Sequence, residues 1–196
     1  MENLEILPAT QERFADVTTM LNPTGRGRAC WCMVWRSPRG LDPQDRGEAL
    51  RELTDGEPAP GLLAYVTEGG ERTVVGWVGL APHRLALSMH RSRVLPRRDE
   101  SEWDTAWVVR CFVVRPGYRR RGIARALLEG AVEYVRSQGG VVVEGFPVDP
   151  EGERVDTTVA YVGTTSLFES AGFSIVEQLT GSKASRPRWV ARMDLA

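Results

Sequence analysis

The sequence predicts an α/β fold built on a mixed β-sheet with helices on both faces, as one domain over residues 1–196. Three observations predict it. Residues 62–67 and 73–80 are apolar runs separated by Gly69-Gly70, the pattern of a β-hairpin. Residues 107–114 form another apolar run, which passes through an arginine-rich glycine turn into a segment repeating Ile123, Leu127, Ala131 and Val135 at helical spacing. A third run, 141–144, follows the Gly139-Gly140 stop. A hairpin followed by strand–helix–strand requires antiparallel and parallel pairs in one sheet.

The remaining elements are expected in order. Residues 4–7 form a short first strand, and Thr10 caps a helix that places Phe14, Val17, Met20 and Leu21 on one face. Asn22-Pro23-Thr24-Gly25 ends it, and residues 30–36 read as a short aromatic helix. Asp42-Pro43 is the cap and first residue of a further helix through Leu50 and Leu53. Residues 83–101 are a partly helical surface loop, and 147–156 a charged Pro/Gly loop. A helix over 164–170 and strands over 173–177 and 189–194 complete the chain.

Bulk properties exclude several classes. The net charge of −1 provides no global field for nucleic acid or an anionic membrane, so any phosphate must be held by a local cluster. No apolar run reaches membrane-span length, and no signal pattern opens the chain. Three cysteines (Cys30, Cys32 and Cys111) fit a reducing, cytoplasmic setting. Cys30-x-Cys32 lacks the spacing of a four-ligand zinc site, so no metal is expected. Neither nucleic acid nor membrane is an expected partner, and a homodimer is left open.

The turn 115–122, Arg-Pro-Gly-Tyr-Arg-Arg-Arg-Gly, holds the most chemistry. The first turn of a helix has N–H groups without intrahelical partners and the positive end of the macrodipole, so it attracts phosphate oxygens. Gly122 admits close approach to the main chain, and Arg119, Arg120 and Arg121 add charge. Arg119-x-x-Gly122-x-Ala124, after an apolar strand ending in Arg115-Pro116-Gly117, resembles the acyl-CoA pyrophosphate motif of the GNAT superfamily of N-acyltransferases. The stretch 166–173, Ser-Leu-Phe-Glu-Ser-Ala-Gly-Phe, resembles that family's last helix running into its next strand.

The resemblance implies the GNAT fold, with the sheet splayed open between the central strand and its successor to admit the acyl chain. It implies acetyl-CoA as acyl donor, gripped at Arg119, Arg120, Arg121, Gly122, Ile123, Ala124 and Arg125, with Ser166 and Phe168 at the last helix. Main-chain N–H groups around Phe112, Val113 and Val114 would polarise the thioester carbonyl, freed by a bulge. The implied reaction is transfer of an acetyl group to the primary amine of a small molecule by direct attack; a non-catalytic acyl-CoA sensor or complex subunit of the same fold is the alternative.

Proton transfer departs from the family pattern. Phe168 stands where many members have a tyrosine acid, and Tyr161 where an asparagine is frequent. Tyr161, Ser166 or a water is left to protonate the thiolate, unless it leaves unaided as a thiol of pKa near ~8.5. Arg110 and Glu144 interrupt apolar strands, and a buried charge requires a partner. The two would meet if their strands are neighbours, either as a structural ion pair or with Glu144 as the base and Arg110 gripping a substrate carboxylate. Trp31 and Trp35, four apart, belong to the core or wall an acceptor pocket.

Overall fold

The computed structural model describes residues 4–153, 155–180 and 186–195. Seven strands form one sheet: β1 (Leu4–Pro8), β2 (Gly61–Glu68), β3 (Glu71–Pro82), β4 (Ala106–Val114), β5 (Val142–Gly145), β6 (Ser174–Gln178) and β7 (Trp189–Asp194). Their order is β1-β2-β3-β4-β5-β7-β6. Among the described residues only β4 and β5 are neighbouring strands paired in parallel, and every other neighbouring pair is antiparallel. The parallel step requires a crossover, supplied by helix α3 (Ile123–Ser137). The mixed sheet predicted from the sequence is therefore the one observed.

Each face carries one core layer. On one side α3 lays Ile123, Leu127, Ala131 and Val135 against Ala64, Val109 and Val143. Helix α5 (Thr165–Ser170) adds Phe168 to the same layer. On the other side α1 (Phe14–Leu21), α2 (Arg46–Leu53) and the chain between them place Val17, Met20, Trp31, Trp35 and Leu50 over Leu63, Trp77 and Val108. No helix among the described residues is long and apolar enough to cross a membrane.

Several local expectations are corrected. Residues 30–36 form turns and not a helix, because Trp31 and Cys32 take φ of 50° and 58°, outside helical space. The helix expected from Asp42-Pro43 begins at Arg46 instead, since the Asp42 carboxylate accepts the Gln44 N–H and closes a separate turn. Thr10 does not cap α1; a 3-10 turn, Gln11–Arg13, intervenes, and the Thr10 hydroxyl accepts from the Arg13 guanidinium. The 83–101 loop contains three 3-10 turns, at His83–Leu85, Met89–Arg91 and Glu100–Glu102. A one-turn helix, α4 (Thr157–Ala160), lies in a stretch with no helical signal. Arg154, within the expected 147–156 loop, falls outside the described residues.

Phe168 is wholly buried, and two glycines make room for it. A Cβ on Gly145 would lie 2.3 Å from its ring, and one on Gly163 2.7 Å. The ring also meets Phe112 and Phe173 edge-on, at centroid separations of 6.0 and 5.0 Å. Gly145→Ala should therefore destabilise the fold by about 1–3 kcal/mol through overpacking. Urea unfolding checks this: an unchanged midpoint would mean that the Phe168 ring moves aside freely.

Candidate active site

β4 and β5 stay paired only from Ala106↔Val142 to Val109↔Gly145. Beyond that point β4 continues to Val114 while β5 ends, so the sheet opens as a wedge. A bulge lies in β4 just past the parting. Trp77 faces Val113 and Gly79 faces Arg110, which leaves Val78 opposite both Cys111 and Phe112. Cys111 takes φ of 62° to make the extra turn of backbone. The released Phe112 N–H donates to the Tyr161 carbonyl at 2.7 Å, tying the two sides of the wedge together. Arg115 N–H donates to Val75, so strand alternation turns the Val114 N–H away from β3 and toward the opened side.

A cleft of about 480 Å³ fills the wedge and runs to the start of α3. Phe112, Val113, Val114, Arg119, Arg120, Gly122, Ile123, Ala124 and Arg125 line one side; Ala160, Tyr161, Gly163, Thr164 and Leu167 line the other. Gly122 caps α3 with φ of 77°, a left-handed conformation that an L side chain adopts only with strain. Arg120 shares that conformation at φ 60°, so the turn curls and presents successive N–H groups on its concave side. The first intrahelical bond is Ala126 N–H to Gly122 carbonyl, leaving the amides of Ile123, Ala124 and Arg125 without helical acceptors. These features fit a pyrophosphate.

The arginines divide their tasks. Arg119 Nε donates to the Val114 carbonyl at 3.1 Å, which braces the turn. Arg121 points outward to Glu68 at 3.2 Å and does not line the cleft. Arg125 lines it but is held by Glu129 at 2.8 Å. Arg120 has no ion-pair partner among the described residues. Ser166 does not line the cleft either; its hydroxyl lies 3.0 Å from that of Thr164, the residue that caps α5 by accepting the Leu167 N–H. Phe168 is sealed in the core behind this wall.

Arg110 and Glu144 lie on neighbouring strands but are not paired. Glu144 is 1% exposed and its carboxylate is occupied: Arg98 reaches both oxygens, with Nε 3.0 Å from Oε2, His83 Nε2 stands 3.3 Å from Oε2, and an Arg192 nitrogen 3.6 Å from Oε1. The expected Arg110 partnership fails because the 83–101 loop delivers Arg98 and the antiparallel register of β7 sets Arg192 directly opposite Glu144. Burial brings His83 down to about 4, helped by the Arg98 charge and opposed by Glu102. Arg110 keeps a buried Nε with no hydrogen-bond partner. Arg188 lies close to both Arg110 and the Tyr161 hydroxyl; burial and the Arg110 charge depress its pKa, against the pull of Tyr161.

Trp31 and Trp35 are buried in the core, Trp31 stacked on Phe14 at 6.1 Å and Trp35 beneath the Arg36 guanidinium at 4.0 Å. Neither lines the cleft. Among the described residues no cluster of three or more His, Cys, Asp or Glu could hold a metal. Arg188, Arg98, Arg192 and His83 escape sequence reasoning. Each sits in an irregular segment or on a late strand, with no local motif to mark it.

A sheet parted between parallel strands, with a helix N-terminus at the mouth of the wedge, is the architecture of an acyl-CoA-dependent transferase. The chain belongs to the acetyltransferase (GNAT) family, whose model matches residues 28–151. Solved structures of similar fold include yncA from Salmonella typhimurium, determined with its cofactor acetyl-CoA, at 17% identity and a TM-score of 0.57, covering 98% of this chain and 94% of that one. A GNAT-family acetyltransferase from Streptococcus pneumoniae has 16% identity, a TM-score of 0.58, and covers 99% and 100% of the two chains. An aminoglycoside 6'-acetyltransferase type Ii has 16% identity and a TM-score of 0.53, covering 99% and 97%. No curated protein matches the sequence.

Two outcomes are expected. Acetyl-CoA at ~100 times its dissociation constant should stabilise the protein by about 2.7 kcal/mol. Arg120→Glu should remove most of that thermal shift while leaving the unliganded melting point unchanged, since the Arg120 side chain has no hydrogen-bond or ion-pair partner among the described residues; an undiminished shift would place the pyrophosphate elsewhere. His83 stays neutral in the fold down to about pH 4, whereas the unfolded chain protonates it near 6.5. The unfolded state thus holds the extra proton between those values, and stability falls as pH drops through this window, by up to about 3 kcal/mol. His83→Gln should flatten that slope in denaturant titrations at stepped pH.

Proposed function

We propose that the protein transfers an acetyl group from acetyl-CoA to the primary amine of a small molecule by direct attack of the neutral amine on the thioester. The observation that carries this is the continuity of the cleft from the amides of Ile123–Arg125 to the bulge at Cys111–Phe112. One end suits a pyrophosphate. Toward the other end the Val114 N–H faces a largely apolar gap, where such a donor is most effective on developing negative charge.

The residues take separate roles. Arg120 and the first amides of α3 hold the pyrophosphate, while Arg119 braces the turn. The Val114 N–H faces the thioester carbonyl oxygen. Tyr161, which lines the cleft, gives its hydroxyl proton to the departing thiolate; Arg188 beside it stabilises the phenolate, which then takes up the proton shed by the acylated amine. Glu144 acts as a positioning residue, because both its oxygens are already engaged. Arg110, with an unmatched buried Nε close to Arg188, favours an acceptor that carries an anionic group near its amine. Trp31 and Trp35 form the packing beneath that site. Three free thiols suit a cytoplasmic setting.

The saturated Glu144 carboxylate and the buried Phe168 favour a second reading, a binding module that holds acetyl-CoA without transfer. Release of free CoA, measured with acetyl-CoA and a panel of amino acids, polyamines and aminoglycosides, separates the two. Under the enzyme reading Tyr161→Phe lowers kcat by about 100-fold, with KM for acetyl-CoA little changed. Intact acetyl-CoA binding with no CoA release from any amine would favour the binding module.

A further inference from the structure

A second cavity, of about 310 Å³, lies between α2 and the end of β3 and shares no lining residue with the cleft. Met33, Leu41, Leu53, Leu80, Ala81 and Leu85 give it apolar walls. Its volume is at the lower end for ligand pockets, which run ~300–1,000 Å³. Two charged residues line it, Arg36 and Glu52. Glu52 is exposed and stands at the rim, whereas Arg36 is 5% exposed and sits among the buried residues.

Arg36 is an unbalanced charge. Its Nε and Nη2 have no hydrogen-bond partner, and among the described residues no carboxylate lies within ion-pair distance of it. Cys32 Sγ is close, since a Cβ on Gly79 would lie 2.5 Å from it and 3.2 Å from Arg36 Nη2, but that sulfur takes the Trp35 indole N–H at 3.4 Å. The guanidinium is stacked over Trp35, 4.0 Å from the ring centre. Burial lowers its pKa, and the Cys32 and Cys111 sulfurs offset this only in part. A buried guanidinium is costly until an anion meets it. With no bond fixing its fork, the side chain is free to turn its end into the adjoining cavity, the space from which an anion can come.

The chemistry of that anion follows from the walls. Nε and Nη2 form one flat edge of the guanidinium, which matches a carboxylate through two parallel hydrogen bonds. A single negative charge brings the pair to neutrality, whereas a phosphate dianion would leave a further charge to desolvate between leucines. The rest of the ligand must be apolar to displace water from those side chains. Glu52 at the rim disfavours a second carboxylate at the ligand's far end. We propose that this cavity is a binding site for a small monocarboxylic acid with an apolar body. Its carboxylate meets Arg36, and its chain or ring lies against Leu41, Leu53, Leu80 and Leu85.

Calorimetric titration of the full-length protein with octanoate, octanol and suberate tests this, suberate being octanoate with a carboxylate at its far end. Octanoate should bind, and octanol about 10- to 100-fold more weakly, the worth of a hydrogen bond to a charged group. Suberate should bind more weakly than octanoate, and Glu52→Gln should narrow that difference. Arg36→Met should abolish the preference for octanoate over octanol. It should not lower the melting point of the free protein, because it removes a buried charge that lacks a counter-charge. Saturating CoA should leave octanoate binding unchanged. Equal binding of octanoate and octanol, a preference that survives Arg36→Met, or displacement of octanoate by CoA would each overturn the proposal. So would the absence of octanoate binding, the result expected if a Cys32 thiolate already balances Arg36. The octanoate–octanol comparison uses the natural protein, so it decides even where Arg36→Met fails to fold. None of these readouts depends on acetyl transfer.

Discussion

The parting of β4 from β5 is the constraint on which the rest of the molecule depends. Parallel pairing holds through Val109↔Gly145 and then stops, so the backbone groups of the following β4 residues lose a neighbour that a closed sheet would supply. Unpaired buried N–H groups are costly, and each must be given another use. Phe112 gives its N–H to Tyr161 across the gap, and the bulge at Cys111 rotates the strand so that Val114 faces the opening. The site arises because the sheet is left incomplete between two of its central strands.

The inner end of the wedge is stabilised by charge. Glu144 sits almost fully buried beside the parting, matched by Arg98 and Arg192 and touched by a neutral His83. Such a cluster resists removal of any one member, because a partner left behind would be buried and unpaired. It also fixes the irregular 83–101 loop, which has little regular hydrogen bonding, to the edge of β5. Arg110 and Arg188 stand outside this balance, leaving positive charge near the Tyr161 side of the cleft.

Much of the fold was legible because it depends on local chemistry. The Gly69-Gly70 turn, the helical spacing of Ile123, Leu127, Ala131 and Val135, and the glycine turn before α3 are each specified by residues adjacent in the chain. The segment 30–36 misled for the same reason. Its Trp31–Trp35 spacing suits a helix, but the turns place Trp31 on Phe14 and Cys32 over Gly79, contacts that a helix would not allow.

By itself the sequence determined the order of the strands, the glycine turn that starts α3 and the family. All of these follow from periodicity, turn residues and a short contiguous motif. Only the tertiary structure decided which charges meet: Arg98, not Arg110, reaches Glu144, and Arg188 stands by Tyr161. It also moved Phe168 from the cleft into the core, between Gly145 and Gly163. The physical reason is that ion pairs and buried contacts depend on distance in space, and residues tens of positions apart carry no mutual signal until register and packing bring them together.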